Sequence, residues 1–476
     1  MTSATRSSSL PAPAPGDTQA EVSRPATGAP GPQGPRLVLA FRGDAPLFGG
    51  QAFDLTGVTE VVLGRGGAVA LMPGAVARSA RLELGDPLVS GRHARLQFEG
   101  DAIWLEDLGS RNGTRINGDV ITRARLKAGD WFIVGRSVFM LSEARNNTRG
   151  EPFMIGGEPA TFDPQTAHVF ETAASLAPSR VPLMLVAETG TGKEVMARQI
   201  HALSQRTGPF IAVNCAALPE TLVESELFGY RKGAFSDAKE DRLGLIRSAD
   251  NGTLLLDEVA ELPAGSQAKL LRVLQEGEVL PLGATRPVRV DVRIIAATQP
   301  HLEKAVQSGA FRADLLARLA GFILRLPPLR DRRVDIGLLV AQLLARHGGE
   351  KAGHMKFQSE ACIALFRRRW LLNIRELDQA LAAASVLASG QGEIEASHLG
   401  EEPPSTHAAE PVANEPPQDT RERLRQSLAR HRGNISAVAR DMGKARMQIH
   451  RWLERFGLDP ESFRDGSTAD EPKPPP

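Results

Sequence analysis

Apolar and polar positions divide the 476-residue chain into three patterned blocks. From 36 to 143, short runs such as RLVLAF, EVVLGR, ARLQFE, AIWLEDL and WFIVGR are separated by Gly/Asn/Asp turns, a spacing that predicts a β-sandwich. From about 152 to 399, helical patterns alternate with the apolar strands VPLMLV, FIAVN, GTLLLDE and VRIIAAT, which predicts an α/β unit with a mostly parallel sheet under helices. From 420 to about 464, Ile435, Val438, Ala439 and Met442 form one helical stripe, Gly443 makes a turn, and Ile449, Leu453 and Phe456 form a second stripe. That third block reads as small and all-α.

The flanks have no such pattern. Residues 1–35 are rich in Pro, Ala, Ser and Gly and predict a disordered tail, as does 465–476; the acidic, Pro-rich segment 400–419 predicts an extended linker. Lys plus Arg total 57 against 56 Asp plus Glu, so a chain that coats nucleic acid through global charge is excluded. The balance is local: from 421 to 457 ten basic residues face three acidic ones, a net of +7, which is an electrostatic footprint for phosphate. Cys215 and Cys362 match neither a disulfide framework nor a metal-ligand spacing, and no apolar run is long enough to cross a bilayer. The expectation is a soluble, cytoplasmic protein without a membrane partner.

Chemistry concentrates in the middle block. Ala187–Glu194, AETGTGKE, follows an apolar strand and opens a helical pattern; it departs from the general phosphate-loop template at both ends but keeps Gly190, Gly192 and Lys193. Backbone N–H groups at a helix start can surround phosphate oxygens there while the lysine neutralises charge. On this stretch alone, a Gly-rich turn without a ligand is the plain alternative. TLLLDEV then ends a strand in adjacent carboxylates: Asp257 is placed to hold Mg2+ and Glu258 to polarise water.

With VNCAALPETLVESELFGYRKGAFSDA, KLLRVLQEGEVLPLG, FRADLLARL, LPPLRDRRVDI and WLLNIREL in order, residues 152–399 resemble the AAA+ domain of bacterial enhancer-binding proteins, the ATP-driven activators of sigma-54 RNA polymerase. The resemblance implies a P-loop NTPase with a helical lid, ATP and Mg2+ as cofactors, and a homo-oligomeric, hexameric ring. ATP would be bound by Glu188, Thr189, Gly190, Thr191, Gly192, Lys193, Glu194, Thr298 and Arg375. Catalysis would use Asp257 and Glu258, with Asn214 as the switch partner of Glu258, and Arg312 and Arg318 as fingers reaching a neighbouring subunit. Gly233, Ala234, Phe235, Ser236, Asp237 and Ala238 match the loop whose aromatic tip contacts sigma-54. Ala187 replaces a Gly of the family, Gln299 an Asn, Leu371 and Leu372 a Pro-Gly pair, and Asp237 a Gly; none of these removes a charged catalytic group.

The outer blocks carry resemblances of their own. LGR, VSGRH and LEDLGSRNGTRING resemble a forkhead-associated (FHA) domain, which implies phosphopeptide binding by Arg65, Ser90, Arg92, Arg111 and Asn112, with His93 bracing the loops. The partner implied is a phosphothreonine-containing protein, a Ser/Thr kinase or its substrate. An unusually long stretch, GGAVALMPGAVARSA, separates Arg65 from Ser90. GNISAVARDMGKARMQIHRWLERFG resembles a Fis-type helix-turn-helix, which implies an upstream DNA site contacted by Lys444, Arg446, Gln448 and Arg451. The combined reading is a phosphopeptide-regulated, sigma-54-dependent transcription activator. Two rivals are a DNA-bound phosphopeptide adaptor whose ring does not drive polymerase, and a regulator of sigma-70 promoters that retains the ATPase scaffold.

Overall fold

The computed structural model describes residues 35–143, 151–388, 392–402 and 417–442, and of the rest 449, 452–453, 456 and 458–463. The predicted tails at 1–34 and 465–476 and most of the predicted linker lie outside them. The chain forms two compact units, Met1–Pro403 and Pro404–Pro476.

The first unit begins with two six-stranded sheets packed face to face. Strand Pro35–Arg42 pairs antiparallel with Ser137–Glu143, so the first and last strands close one sheet. The other sheet contains Glu60–Arg65, Ser79–Leu84, Ala94–Glu99 and Ala102–Asp107. The long stretch after Arg65 becomes an added edge strand, Ala70–Pro73, paired antiparallel with Ser79–Leu84. Pro35, which the sequence reading assigns to the disordered tail, is the first residue of a strand.

Strand alternation explains an unusual burial pattern. Leu37, Leu39, Phe132, Val134 and Phe139 enter the sandwich core. Their neighbours Val38, Trp131, Ile133, Val138 and Met140 enter a second core that they share with helices of the lid, including Val340, Leu344, Phe366 and Leu381. Successive side chains of a strand point to opposite faces, so all four residues of Trp131–Val134 are buried, two on each side. Aromatic rings bridge the seam: Phe41 meets Phe357 edge-on at 5.2 Å and Trp131 lies 5.8 Å from Phe366. Backbones also meet, because Gly43 N–H donates to Arg136 O at 2.8 Å and Phe357 N–H donates to Gly43 O at 2.7 Å. A Cβ at Gly337 would collide with Ala40 O, so helix Ile336–Gly348 can lie against strand Pro35–Arg42 only with glycine there.

The ATPase-like part has a five-stranded sheet in the order Phe210–Asn214, Thr253–Asp257, Arg293–Thr298, Leu183–Val186, Phe322–Arg325, every pair parallel. Helices cover both faces and make two cores, one around Leu254, Leu256 and Leu270 and one around Leu185, Ile200 and Ile295. The lid follows with helices Ile336–Gly348, Ser359–Arg367 and Asn373–Leu387.

In the second unit, helices Pro417–Arg430 and Ile435–Asp441 pack around Leu424, Leu428, Val438, Ile449 and Leu453. Residues 417–419, which the sequence reading assigns to the linker, are therefore helical. Leu424 and Leu428 supply part of the core from a helix that stripe-counting from Ile435 onward misses.

Between the lid and the hairpin of Phe153–Ile155 and Glu158–Thr161, Asp335 is fully buried and accepts hydrogen bonds from Thr161 Oγ1 at 2.6 Å and Phe162 N–H at 2.7 Å. Burial pushes its carboxyl up from 3.8 to about 6, against the opposing pull of Arg332 and those two donors. The folded chain thus holds this proton more tightly than the unfolded chain, so the contribution favours folding fully below pH 3.8 and is lost as pH rises through about 6. Asp335→Asn is expected to flatten that slope, worth roughly 3 kcal/mol, in urea titrations between about pH 4 and about pH 6. Identical slopes in both chains would show that the carboxyl ionises normally in the folded state.

Candidate functional site

Strand Leu183–Val186 delivers the chain to a loop that turns twice through left-handed backbone, at Gly190 (φ 77°) and Gly192 (φ 105°), before helix Lys193–Leu203. No side chain caps that helix, so its first N–H groups face the loop. Lys193 is only 6% exposed, and its Nζ sits 3.2 Å from Ala187 O, 3.4 Å from Glu258 Oε1 and 3.9 Å from Asp257 Oδ1. A buried ammonium beside uncapped helical amides fits the charge of a polyphosphate, and the two carboxylates fit a divalent cation held jointly with it. Ala187 packs its methyl into the core around Leu185 and Ile295.

Glu258 adopts left-handed backbone (φ 50°, ψ 49°), a conformation costing a non-glycine residue about 1–3 kcal/mol. It aims the carboxylate at Lys193, and Gln299 Nε2 also reaches Oε1 at 3.4 Å. Gln299, the departure beside Thr298, thus contacts the candidate base directly. Asn214 lies opposite Asp257 in register, but its Oδ1 accepts from Ala216 N–H rather than meeting Glu258. Arg312 and Arg318 are exposed at helix Ala313–Leu319, with Arg312 held by a bidentate pair to Asp314 at 2.7 and 3.0 Å.

The lid closes over the phosphate loop. Arg330 makes two bonds to Glu188 at 2.6 and 2.7 Å, Asn373 Nδ2 donates to Thr189 O at 2.9 Å, and Arg332 donates to Thr191 O at 2.9 Å. The Arg330 bonds, helped by one from Asn373 Nδ2 and opposed by burial, hold the Glu188 carboxyl below its ordinary range. Arg375 packs against Gly190, where a Cβ would strike Leu372 O. The Leu371-Leu372 departure therefore lies in the turn that touches the loop, with Trp370 (φ 52°) and Asn373 (φ 55°) supplying its left-handed corners. Arg330, Arg332 and Asn373 are not among the candidate residues; their signals are the arginine run LRDRR before a helix and the stretch WLLNIREL that holds Asn373.

The loop Gly233–Ala238 projects from a base where Tyr230 bonds both ways with Arg242 and Arg231 pairs with Asp241. Phe235 is 42% exposed and rests edge-on against Tyr230, ring centres 4.9 Å apart.

At one end of the sandwich, Arg65, Arg92, Arg111 and Asn112 are exposed around Ser90. Arg111 N–H donates to Ser90 Oγ at 3.1 Å, Arg65 N–H to Ser90 O at 2.9 Å, and Asn112 Nδ2 to Leu88 O at 2.6 Å. A Cβ at Gly64 would collide with Gly91 O, so the Gly-Arg pair brings the two loops together. His93 is buried; its Nδ1 accepts from Ser90 N–H and its Nε2 meets Gly113 O, both at 3.1 Å. Burial holds it below the ordinary histidine range, which suits a neutral brace. Arg81, unforeseen, ties Glu83 to Gly91 O. Lys444, Arg446, Gln448 and Arg451 lie outside the described residues.

Fold and site together define an AAA+ ATPase domain with a lid, preceded by an FHA sandwich. The Sigma-54 interaction domain matches residues 160–325, the AAA+ ATPase lid domain 330–416 and the FHA domain 61–135. The Hydrogenase transcriptional regulatory protein HoxA of Cupriavidus necator is 42% identical over 307 residues, 61% of this chain and 64% of that protein. Regulatory protein AtoC of Escherichia coli is 39% identical over 324 residues, 64% of this chain and 68% of that protein. NtrX from Brucella abortus, solved in complex with ADP, has 33% identity over 63% of this chain and 70% of that one, with a TM-score of 0.48. The chain belongs to the family of sigma-54-dependent transcriptional regulators. Among curated relatives it spans 64%, 46% and 50% of HoxA, the Acetoin catabolism regulatory protein and FlbD, about half to two thirds of their length.

Because Arg330 fixes Glu188 from the lid, Arg330→Ala is expected to weaken ADP binding roughly threefold to tenfold by calorimetry, the effect of losing a partly exposed charged hydrogen-bond pair. An unchanged affinity would mean that the loop holds its shape without the lid.

Proposed function

We propose that the protein is a DNA-bound transcription activator that hydrolyses ATP as a hexameric ring to remodel sigma-54 RNA polymerase, under control of phosphothreonine-peptide binding to its FHA domain. The observation that carries this reading is the buried Lys193 beside Asp257 and Glu258, in a domain that also presents Phe235 on an exposed loop. Family membership adds the polymerase as the class of partner.

Bound ATP with Mg2+ supplies the scissile phosphoanhydride and neutralises charge on it. Lys193 and the amides of Glu188–Glu194 bind the phosphates, and Asp257 would hold the metal. Glu258 orients the attacking water and accepts its proton; Lys193 and Gln299 limit where its carboxylate can point. Asn214 restrains Glu258 in one nucleotide state, Thr298 and Arg375 contact the nucleotide, and Arg312 and Arg318 of one subunit stabilise charge in the site of the next. Gly233–Ala238 then carries Phe235 against sigma-54. A ring is required because a finger given in trans needs closed symmetry.

The sandwich loops suit a phosphate held by Arg65, Ser90, Arg92 and Arg111, with Asn112 on the peptide backbone. The basic last block, through Lys444, Arg446, Gln448 and Arg451, suits an upstream DNA site. A cytoplasmic location accords with a chain in which no described helix is long and apolar enough to cross a membrane.

Sigma-54 polymerase, ATP and a promoter with a bound upstream site are expected to yield open complexes only with hydrolysable nucleotide. Glu258→Ala should lower hydrolysis at least about 100-fold and abolish opening. ATP turnover without opening would favour a regulator that no longer drives sigma-54 polymerase. Separately, Arg65→Ala is expected to weaken phosphothreonine-peptide binding at least about tenfold by calorimetry, the loss of a charge-assisted contact. Equal affinity in both chains would remove phosphopeptide reading from the function.

A further inference from the structure

The two candidate ligand sites touch opposite ends of one continuous body. On the sandwich side, the loop that carries Ser90 and Arg92 begins at Asp86, which is fully buried. Asp86 accepts from Arg136 N–H at 2.6 Å, faces the Arg136 guanidinium at 3.4 Å, and accepts from Leu88 N–H at 3.1 Å. Leu88 O in turn holds Asn112. The turn Gly135–Arg136 is thereby locked to the phosphopeptide loop; Gly135 (φ 64°) comes so near that a Cβ would meet Asp86 and Val89.

The other side of that turn faces the lid. Ser359 Oγ donates to Gly135 O at 3.1 Å, and Cys362 Sγ lies 3.7 Å from Arg136 O. Both lid residues start helix Ser359–Arg367. Trp370, buried in the core that sandwich and lid share, donates its indole N–H to Leu365 O at 2.9 Å, and Asn373 N–H donates to Trp370 O at 2.8 Å. Asn373 then reaches Thr189 O, and Ile374 N–H donates to Gly190 O at 2.9 Å. The Arg136–Asp86 and Trp370–Leu365 bonds are buried, the Ser359–Gly135 and Asn373–Thr189 bonds are partly buried, and the apolar core shared by sandwich and lid packs beside them. Close-packed interiors shift between discrete arrangements rather than yielding gradually, so a displacement at one end is passed on.

We infer that occupancy of the phosphopeptide site changes nucleotide affinity at the phosphate loop, through Asp86, Arg136 and helix Ser359–Arg367 of the lid. The inference rests on reading Arg65, Ser90 and Arg92 as a phosphopeptide site and Lys193 as a nucleotide ligand. A phosphate drawn between Arg65 and Arg92 pulls their two loops together. The loop after Asp86 cannot follow without loading the Arg136 turn, and the lid cannot move over Thr189 without carrying the sandwich.

The test uses the full chain, a fluorescent ADP analogue, and a short phosphothreonine peptide selected on this protein from a degenerate library, with its unphosphorylated twin as control. Saturating phosphopeptide is expected to change the ADP Kd at least about fivefold, and ADP to change the peptide Kd by the same factor, as linkage requires. Arg136→Lys and Ser359→Ala should each bring that factor towards one while both ligands still bind alone. An ADP Kd unmoved by a peptide that demonstrably binds would overturn the inference and leave both site readings standing. Full coupling retained in both variants would overturn the route. A chain that binds no phosphopeptide would remove the underlying reading, and the inference with it.

Discussion

The apolar seam between sandwich and lid is the contact that organises the first unit. Strands Pro35–Arg42, Trp131–Val134 and Ser137–Glu143 each give one face to the sandwich core and the other to the lid. Each large side chain fully buried there contributes about 1.5–3 kcal/mol, and Phe41, Phe357 and Phe366 are all within 1% of complete burial. Separating the domains would expose these rings together. The FHA sandwich is therefore an extension of the lid, and its loops inherit the lid's position.

That position also shapes the nucleotide site. The phosphate loop presents the Glu188 carboxylate and the carbonyls of Thr189, Gly190 and Thr191 to the lid; Arg330 and Asn373 share the carboxylate, and Asn373 Nδ2, Ile374 N–H and Arg332 take the carbonyls in turn. Arg332 is only 4% exposed, and burial lowers its basicity against the pull of Asp335 and Asp163. A guanidinium taken that far from water needs acceptors in fixed places. The same few residues thus secure the lid to the loop and the lid to the hairpin bearing Thr161.

Much of this was legible in the residue pattern because the relevant signals are local. Continuous apolar runs gave the parallel strands, and glycines ahead of Lys193 marked the phosphate loop, since both follow from backbone conformation within a few residues. WFIV carried a further signal that an alternating-strand reading passes over: four apolar residues in succession mean that both faces are covered. Its partner, the lid, lies more than 190 residues away in sequence, so nothing near the strand could identify it. Arg330 and Asn373 escaped for the same reason. Their roles depend on Glu188 and Thr189, which only the folded lid brings within reach.

Asp237 illustrates how geometry changes the weight of a departure. A glycine is irreplaceable where the backbone turns left-handed, and a charged residue there would strain the loop that carries Phe235. The left-handed turn falls instead at Gly233 (φ 82°), and Asp237 is not among the residues with left-handed φ. Its carbonyl accepts from Lys239 N–H at 2.9 Å, and Ala238 N–H closes the turn on Phe235 O at 3.0 Å. In this conformation the aspartate therefore adds charge without backbone strain. The aromatic tip takes its position from Tyr230, whose backbone bonds to Arg242 in both directions, and not from residue 237. What Asp237 alters is the electrostatic surface beside Phe235 rather than the shape of the loop.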